Sequence, residues 1–243
     1  MGARAPPDGC RFVACELPFV FPSCQVNLSM LRSPPVAQGA KEAARKARTE
    51  VYRQHVLEAA ERVLAEHGFE ATKVQDIAEA AGVSMGTIYS VFPGKQELYD
   101  AILAQHGERI LALVRDVHGR DAPPLETLDA LITLYVDYFV THPDFLRLHL
   151  RSGASWALGP STDSAPRLRH WQEVHGLQAD IFRRGVASGA FVQEDPDYLA
   201  KLFSVMDQVL LADWAARGMR EGRDALVERF RAQARRSFGT GAQ

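Results

Sequence analysis

The sequence predicts an all-α protein of about nine helices, a short three-helix unit followed by a larger helical bundle. Three observations predict it. From about residue 41 onward, apolar residues recur at three- and four-residue spacing, the period of a helix face, and β-type alternation is scarce. Gly and Pro stand at spaced points, where helices must end or begin. Two helices near 73–92 are short and joined by a turn containing Gly82, which are the ingredients of a helix-turn-helix.

The bulk properties permit this and exclude other classes. The 243 residues are 47% apolar and 24% charged, enough to bury a core. No apolar run approaches the roughly 18 residues of a membrane span, so no membrane partner is expected. The net charge of −2 does not announce a nucleic-acid binder. Cys10, Cys15 and Cys24 match no common zinc spacing, and their odd number argues against a disulfide framework; a reducing, cytoplasmic setting fits. Residues 1–40 hold six of the 13 prolines and no helical period. They read as part of a flexible tail over 1–48, or as an over-extended start, with Met30 the better beginning.

The elements follow in order. Val56, Ala59, Ala60, Val63 and Leu64 give the first helix one apolar face, and Gly68 stops it in a left-handed turn with Phe69 packing back. Thr72 and Gln75, three apart, have capping-box spacing at the start of the second helix. Val74, Ile77, Ala78 and Ala81 form its stripe before Gly82 breaks it. Ser84 caps a short third helix over 85–91, with Ile88 and Phe92 facing inward. A fourth runs over 95–117 through Leu98, Ile102, Ile110, Val114 and Val117. Beyond Pro123-Pro124, helices are expected over 125–141, 144–158 and 168–188, with a loop over 159–166. Asp195 and Pro196 supply an N-cap and a first helical residue for 197–217, and 223–238 completes the set.

A helix-turn-helix lays its first helix across the DNA backbone and inserts the second into the major groove. Free amides at helix N-termini hold phosphate without net positive charge. What basic excess there is lies over 41–53, with five Lys or Arg against two Glu, where an arm can reach a duplex. The string over 71–89, Ala-Thr-Lys-Val-Gln-Asp-Ile-Ala-Glu-Ala-Ala-Gly-Val-Ser-Met-Gly-Thr-Ile-Tyr, is followed by Phe92 and by Lys95-Gln96-Glu97-Leu98 and preceded by Gly68-Phe69. It resembles the DNA-binding domain of the TetR/AcrR family, over roughly 50–109. The resemblance implies a ligand-responsive repressor, a homodimer on a partly palindromic operator released by a small molecule held in the domain over 110–240. By position it implies that Thr72, Lys73 and Lys95 meet phosphate, that Ser84, Met85, Gly86 and Thr87 face bases or phosphate, and that Tyr89 contacts the backbone. Ser90 and Val91 stand where family members often carry an aromatic residue and a histidine. Ser90 keeps a polar group there, whereas Val91 cannot donate to phosphate.

The second half matches that family only in outline. Tyr135, Tyr138, Phe139 and His149 are candidates to line a ligand pocket, together with Trp156, Trp171, His175 and Phe182. No cofactor or metal is expected beyond an unidentified effector. His170 and His175, five apart, lack the three- or four-residue spacing of a helical metal pair and read as a solvated face. Leu199, Leu202, Phe203, Met206, Val209, Leu210 and Trp214 form a stripe wider than one neighbour needs. With Leu226, Val227 and Phe230 they are the candidate subunit contact, closing a four-helix bundle across a two-fold axis. An enzyme would need a paired carboxylate–histidine set, a nucleophile with its base, or a phosphate loop, none of which the sequence supplies. A pure helical interaction module would leave the string over 71–98 without a purpose.

Overall fold

The computed structural model describes residues 36–159 and 164–240, with side chains from residue 39. The three cysteines, the proline-rich segment and Met30 lie outside the described residues. Two units divide the chain, residues 1–44 and 45–243. The described part of the first is helical, with residues 39–44 exposed.

Among the described residues there are nine helices: α1 (Val36–His67), α2 (Val74–Ala81), α3 (Met85–Val91), α4 (Lys95–His118), α5 (Pro124–Thr141), α6 (Pro143–Arg151), α7 (Ala165–Ala187), α8 (Pro196–Ala216) and α9 (Arg223–Phe238). Two boundaries depart from expectation. Helix α1 begins at Val36, ahead of residue 41, because Ala37, Gln38 and Ala40 are good helix formers even without an apolar stripe. Helix α6 ends at Arg151 and not near 158, since Gly153 takes a left-handed φ of +66° and turns the chain. The apolar period continues through Trp156 and Ala157, but in a turn.

The N-terminal helices pack through Leu64, Ile77, Ile88, Leu98 and Ile102, all fully buried, with Phe92 beside them. Gly82 supplies the corner between α2 and α3 at φ +63°, and its N–H donates to carbonyls of the α2 C-terminus. Opposite this corner, His55 Nε2 lies 2.9 Å from the Ala81 carbonyl oxygen. Only the carboxylate half of a capping box forms, one residue later than expected. Lys73 is the N-cap and its N–H donates to the Asp76 carboxylate at 2.7 Å, while the Thr72 hydroxyl donates back to the Gly68 carbonyl at 2.7 Å. Gln75 donates instead to Glu79, 3.1 Å away along the same helix.

In the larger bundle α7 packs on α4 and α8, and α5 packs on α4 and α9. Its floor is aromatic: Phe182 meets Phe191 and Phe238 edge-on or tilted, and Phe203 stacks on Phe230 at 5.3 Å. Gly185 is where Phe191 enters, for a Cβ on that residue would stand 1.9 Å from the Phe191 ring. Arg231 pairs with Asp129, and Arg223 with Asp137, tying α9 to α5.

Candidate functional site

Helix α3 is the candidate recognition helix, and its local hydrogen bonds decide which side chains stay available. Ser84 is its N-cap: the hydroxyl accepts from the Thr87 N–H at 3.1 Å and lies 2.9 Å from the Thr87 hydroxyl. Ser90 donates to the Thr87 carbonyl at 2.7 Å. Ile88 faces the core, so Ser84, Gly86, Tyr89 and Ser90 turn outward, with Thr87 partly covered. Met85 packs against the core with part of its surface. Tyr89 is 52% exposed, which no core role explains. Lys73 is exposed at the α2 N-terminus, where free amides and a cation converge.

Two residues expected at phosphate are spent internally. Thr72 is only 2% exposed, with its hydroxyl on Gly68. The Lys95 ammonium donates to the carbonyls of Phe69 at 2.5 Å and Thr72 at 2.9 Å, and it sits 4.4 Å over the Phe69 ring. The chain leaving α1 runs past the start of α4 with unpaired carbonyls, and a lysine there satisfies them before it can reach DNA. Both expectations are corrected to structural roles. Arg53, one of the five basic residues over 41–53, holds its guanidinium 4.4 Å over the Phe92 ring.

The second candidate site is a cavity of about 180 Å³ among α4, α5, α7 and α8, with α6 and the turn after it at one side. Of the expected ligand residues, Tyr135, Phe139, His149, Trp156, Trp171 and His175 line it. Tyr138 and Phe182 do not. The Tyr138 hydroxyl is 2.6 Å from His106 Nδ1, and Phe182 belongs to the aromatic floor. Flat faces make the walls: Phe139 stacks on Trp156 at 5.0 Å, and Trp171 on His175 at 5.2 Å. The Trp171 indole N–H donates to the Trp156 carbonyl at 2.8 Å, which holds the turn after α6 against α7.

Polar groups missed by sequence reading complete the wall: Arg167, His170, Gln178, Ser204 and Asp207. His170 and His175 were expected on a solvated face, yet their side chains are 17% and 13% exposed, because α4 and α8 cover that side of α7. Among the described residues no group of three or more His, Cys, Asp or Glu could hold a metal ion. Gln178 donates to the Tyr135 hydroxyl at 2.9 Å and accepts from Ser204 at 3.2 Å. Asp207 is 2% exposed, its Oδ1 has no partner, and burial pushes its carboxyl well above the usual range. Burial, helped by Arg167, lowers the His149 imidazole to about 4. The signal for Asp207 was in the sequence: it lies four residues from both Phe203 and Leu211, an acid inside an apolar stripe.

One buried residue touches both regions. His106 on α4 is 1% exposed and donates from Nε2 to Glu61 on α1 at 3.0 Å, since a carboxylate can only accept. Its other nitrogen meets Tyr138 on α5, and its ring stacks at 3.8 Å on Phe145, which lines the cavity.

The expected subunit contact separates into two groups. Leu199, Phe203, Trp214, Leu226, Val227 and Phe230 are core of the protomer, each at most 4% exposed, and cannot meet a partner. Leu202, Met206 and Leu210 are partly exposed, and Val209 is 62% exposed. A wide apolar stripe has two sides, and α5, α7 and α9 cover one of them.

Comparison with known proteins agrees with this geometry. The family described as "Bacterial regulatory proteins, tetR family" matches residues 56–102. The chain is 29% identical to the HTH-type transcriptional repressor KstR2 of Mycobacterium tuberculosis over 143 residues, 57% of this chain and 68% of that protein. The solved structure of ketosteroid transcriptional regulator KstR2 of M. tuberculosis aligns with a TM-score of 0.64 at 24% identity, covering 78% of this chain and 95% of the other. The MbdR regulator from Azoarcus sp. CIB aligns at 0.65 with 21% identity, over 74% and 95% of the two chains. FadR from Bacillus subtilis, solved in complex with stearoyl-CoA, aligns at 0.60 with 17% identity and the same coverage. The chain is a DNA-binding transcriptional regulator of the TetR family.

Proposed function

We propose that the protein is a homodimeric repressor that binds a partly palindromic operator through α3 and releases it when a small molecule fills the cavity. The DNA-binding part spans about 50–109 and the ligand-binding and dimerisation part about 110–240. Relatives named as repressors support the sign of regulation, and a structural relative solved with stearoyl-CoA supports a small-molecule effector.

The observation that carries the reading is the position of α4. This helix follows the helix-turn-helix directly, lends Leu103, Gly107 and Ile110 to the cavity wall, and through His106 holds Glu61 of α1. A ligand that moves Phe145 or α4 disturbs the ring stacked on His106, and with it the contact that sets α1. The ligand must favour the non-binding arrangement, because equal affinity for both arrangements shifts nothing. Dimerisation through the exposed side of α8 would hold two copies of α3 at a fixed separation, about 34–36 Å for successive major-groove faces.

A thermal-shift screen of small aromatic and lipid compounds, followed by operator titration, tests this reading. Compounds that bind the native state raise the melting temperature by mass action, and those seated in the cavity should weaken operator binding. Stabilising compounds that leave operator affinity unchanged would sink the reading.

A further inference from the structure

We propose that the cavity takes a neutral, planar aromatic compound of one or two fused rings bearing a hydroxyl, and that this hydroxyl donates to the carboxyl of Asp207. The inference rests on the reading of this cavity as the effector site and narrows the chemistry of the effector.

Size sets the first limit. An apolar cavity of about 150 Å³ admits benzene, so about 180 Å³ suits one or two rings. Shape sets the second. The Phe139–Trp156 and Trp171–His175 pairs present flat faces, and such faces favour another flat ring stacked or edge-on.

Polarity selects the substituent. Among the polar groups deep in the wall, Gln178, Tyr135 and Ser204 are engaged with one another. Asp207 Oδ1, fully buried, has no such partner. An unpaired buried carboxyl is costly, so a wall that keeps one is suited to a ligand that donates to it. Trp156 Nε1 is also unpartnered and offers a donor to the hydroxyl oxygen or to a second polar substituent. The charge of the ligand follows from the same wall. Arg167 lines the cavity with its guanidinium already paired to Asp100 at 2.8 Å, and burial favours the uncharged form of Asp207, so the wall holds no unbalanced charge to match a charged ligand.

The test uses the purified full-length protein and the fluorescence of Trp156 and Trp171 inside the cavity. Four probes are titrated: 2-naphthol, 2-methoxynaphthalene, benzyltrimethylammonium and decanoate. The expected result is that 2-naphthol binds about tenfold or more tightly than its methyl ether, which keeps the rings and the oxygen but loses the donor. Asp207→Leu should abolish that advantage, and Asp207→Asn, which retains an acceptor, should preserve most of it. Equal affinity for naphthol and its ether in the wild-type protein overturns the proposal without any variant, as does tighter binding of decanoate or the quaternary ammonium. Operator titration with saturating naphthol then separates the two readings. Selective naphthol binding with unchanged operator affinity leaves the ligand chemistry standing and removes the effector role. Operator release by decanoate alone does the reverse.

Discussion

Lys73, Tyr89 and Lys95 all sit where a duplex would approach, and their hydrogen bonds assign them different work. Lys73 is exposed and free of the core, so Lys73→Ala should remove one released counterion and lower the slope of log affinity against log salt by about 0.9. Tyr89→Phe deletes only an exposed hydroxyl. It should leave the melting curve unchanged and cost about tenfold in operator affinity, the worth of a hydrogen bond to a charged group. Lys95 holds the carbonyls of Phe69 and Thr72, so Lys95→Met should cost about 1–3 kcal/mol in urea denaturation. Unchanged stability in Lys95→Met would return that residue to the phosphate-contact role. His149 carries a pH signature of its own. Its imidazole titrates near 6.5 when unfolded and at about 4 when folded. Below pH 6.5 the unfolded state therefore binds more protons, and stability falls as the pH drops toward 4. The full loss is about 3 kcal/mol. His149→Phe should flatten that part of the stability profile between pH 7 and 4, and a profile identical to wild type would contradict the buried neutral imidazole.

At the scale of the element, α8 presents two different faces. Leu199, Phe203, Asp207 and Leu211 point into the protomer, while Tyr198, Leu202, Val205 and Val209 run along the other side at helical spacing. Over the eleven residue steps from Tyr198 to Val209 that face extends about 16 Å. Val209→Asp should yield a folded monomer that binds operator weakly, whereas Phe203→Asp should fail to fold, because it buries a charge against Phe182 and Phe230. Sedimentation with circular dichroism distinguishes the two, and a dimeric Val209→Asp protein would move the contact away from α8. The same helix explains what was legible in the sequence. The short pair α2–α3 could be read directly, because Gly82, Ser84 and the stripe of Ile77, Ala78 and Ala81 are local signals acting within a few residues. Periodicity put Phe203 and Val209 on one apolar helix but could not say which side α5, α7 and α9 would cover. Lys95 was misread for a similar reason: its acceptors come from residues 69–72, and only the folded turn brings them within reach.

At the scale of the molecule, the proposed release of operator by a ligand requires these elements to be coupled. The route runs from the cavity wall at Phe145 to the ring of His106, and from His106 to Glu61 on α1. Each link is a direct contact, and the helix that carries His106 begins four residues after α3 ends. Two copies of α3 held by one dimer should read two half-sites related by a two-fold axis, since a single recognition helix reaches only a few base pairs. Selection of bound duplexes from a random 40-base-pair library by the purified protein tests this central claim most directly. The account predicts enrichment of one partly palindromic site, bound by two protomers about a thousandfold or more tightly than random duplex at physiological salt. Recovery of no preferred sequence, or of a single half-site bound by one protomer, would contradict it.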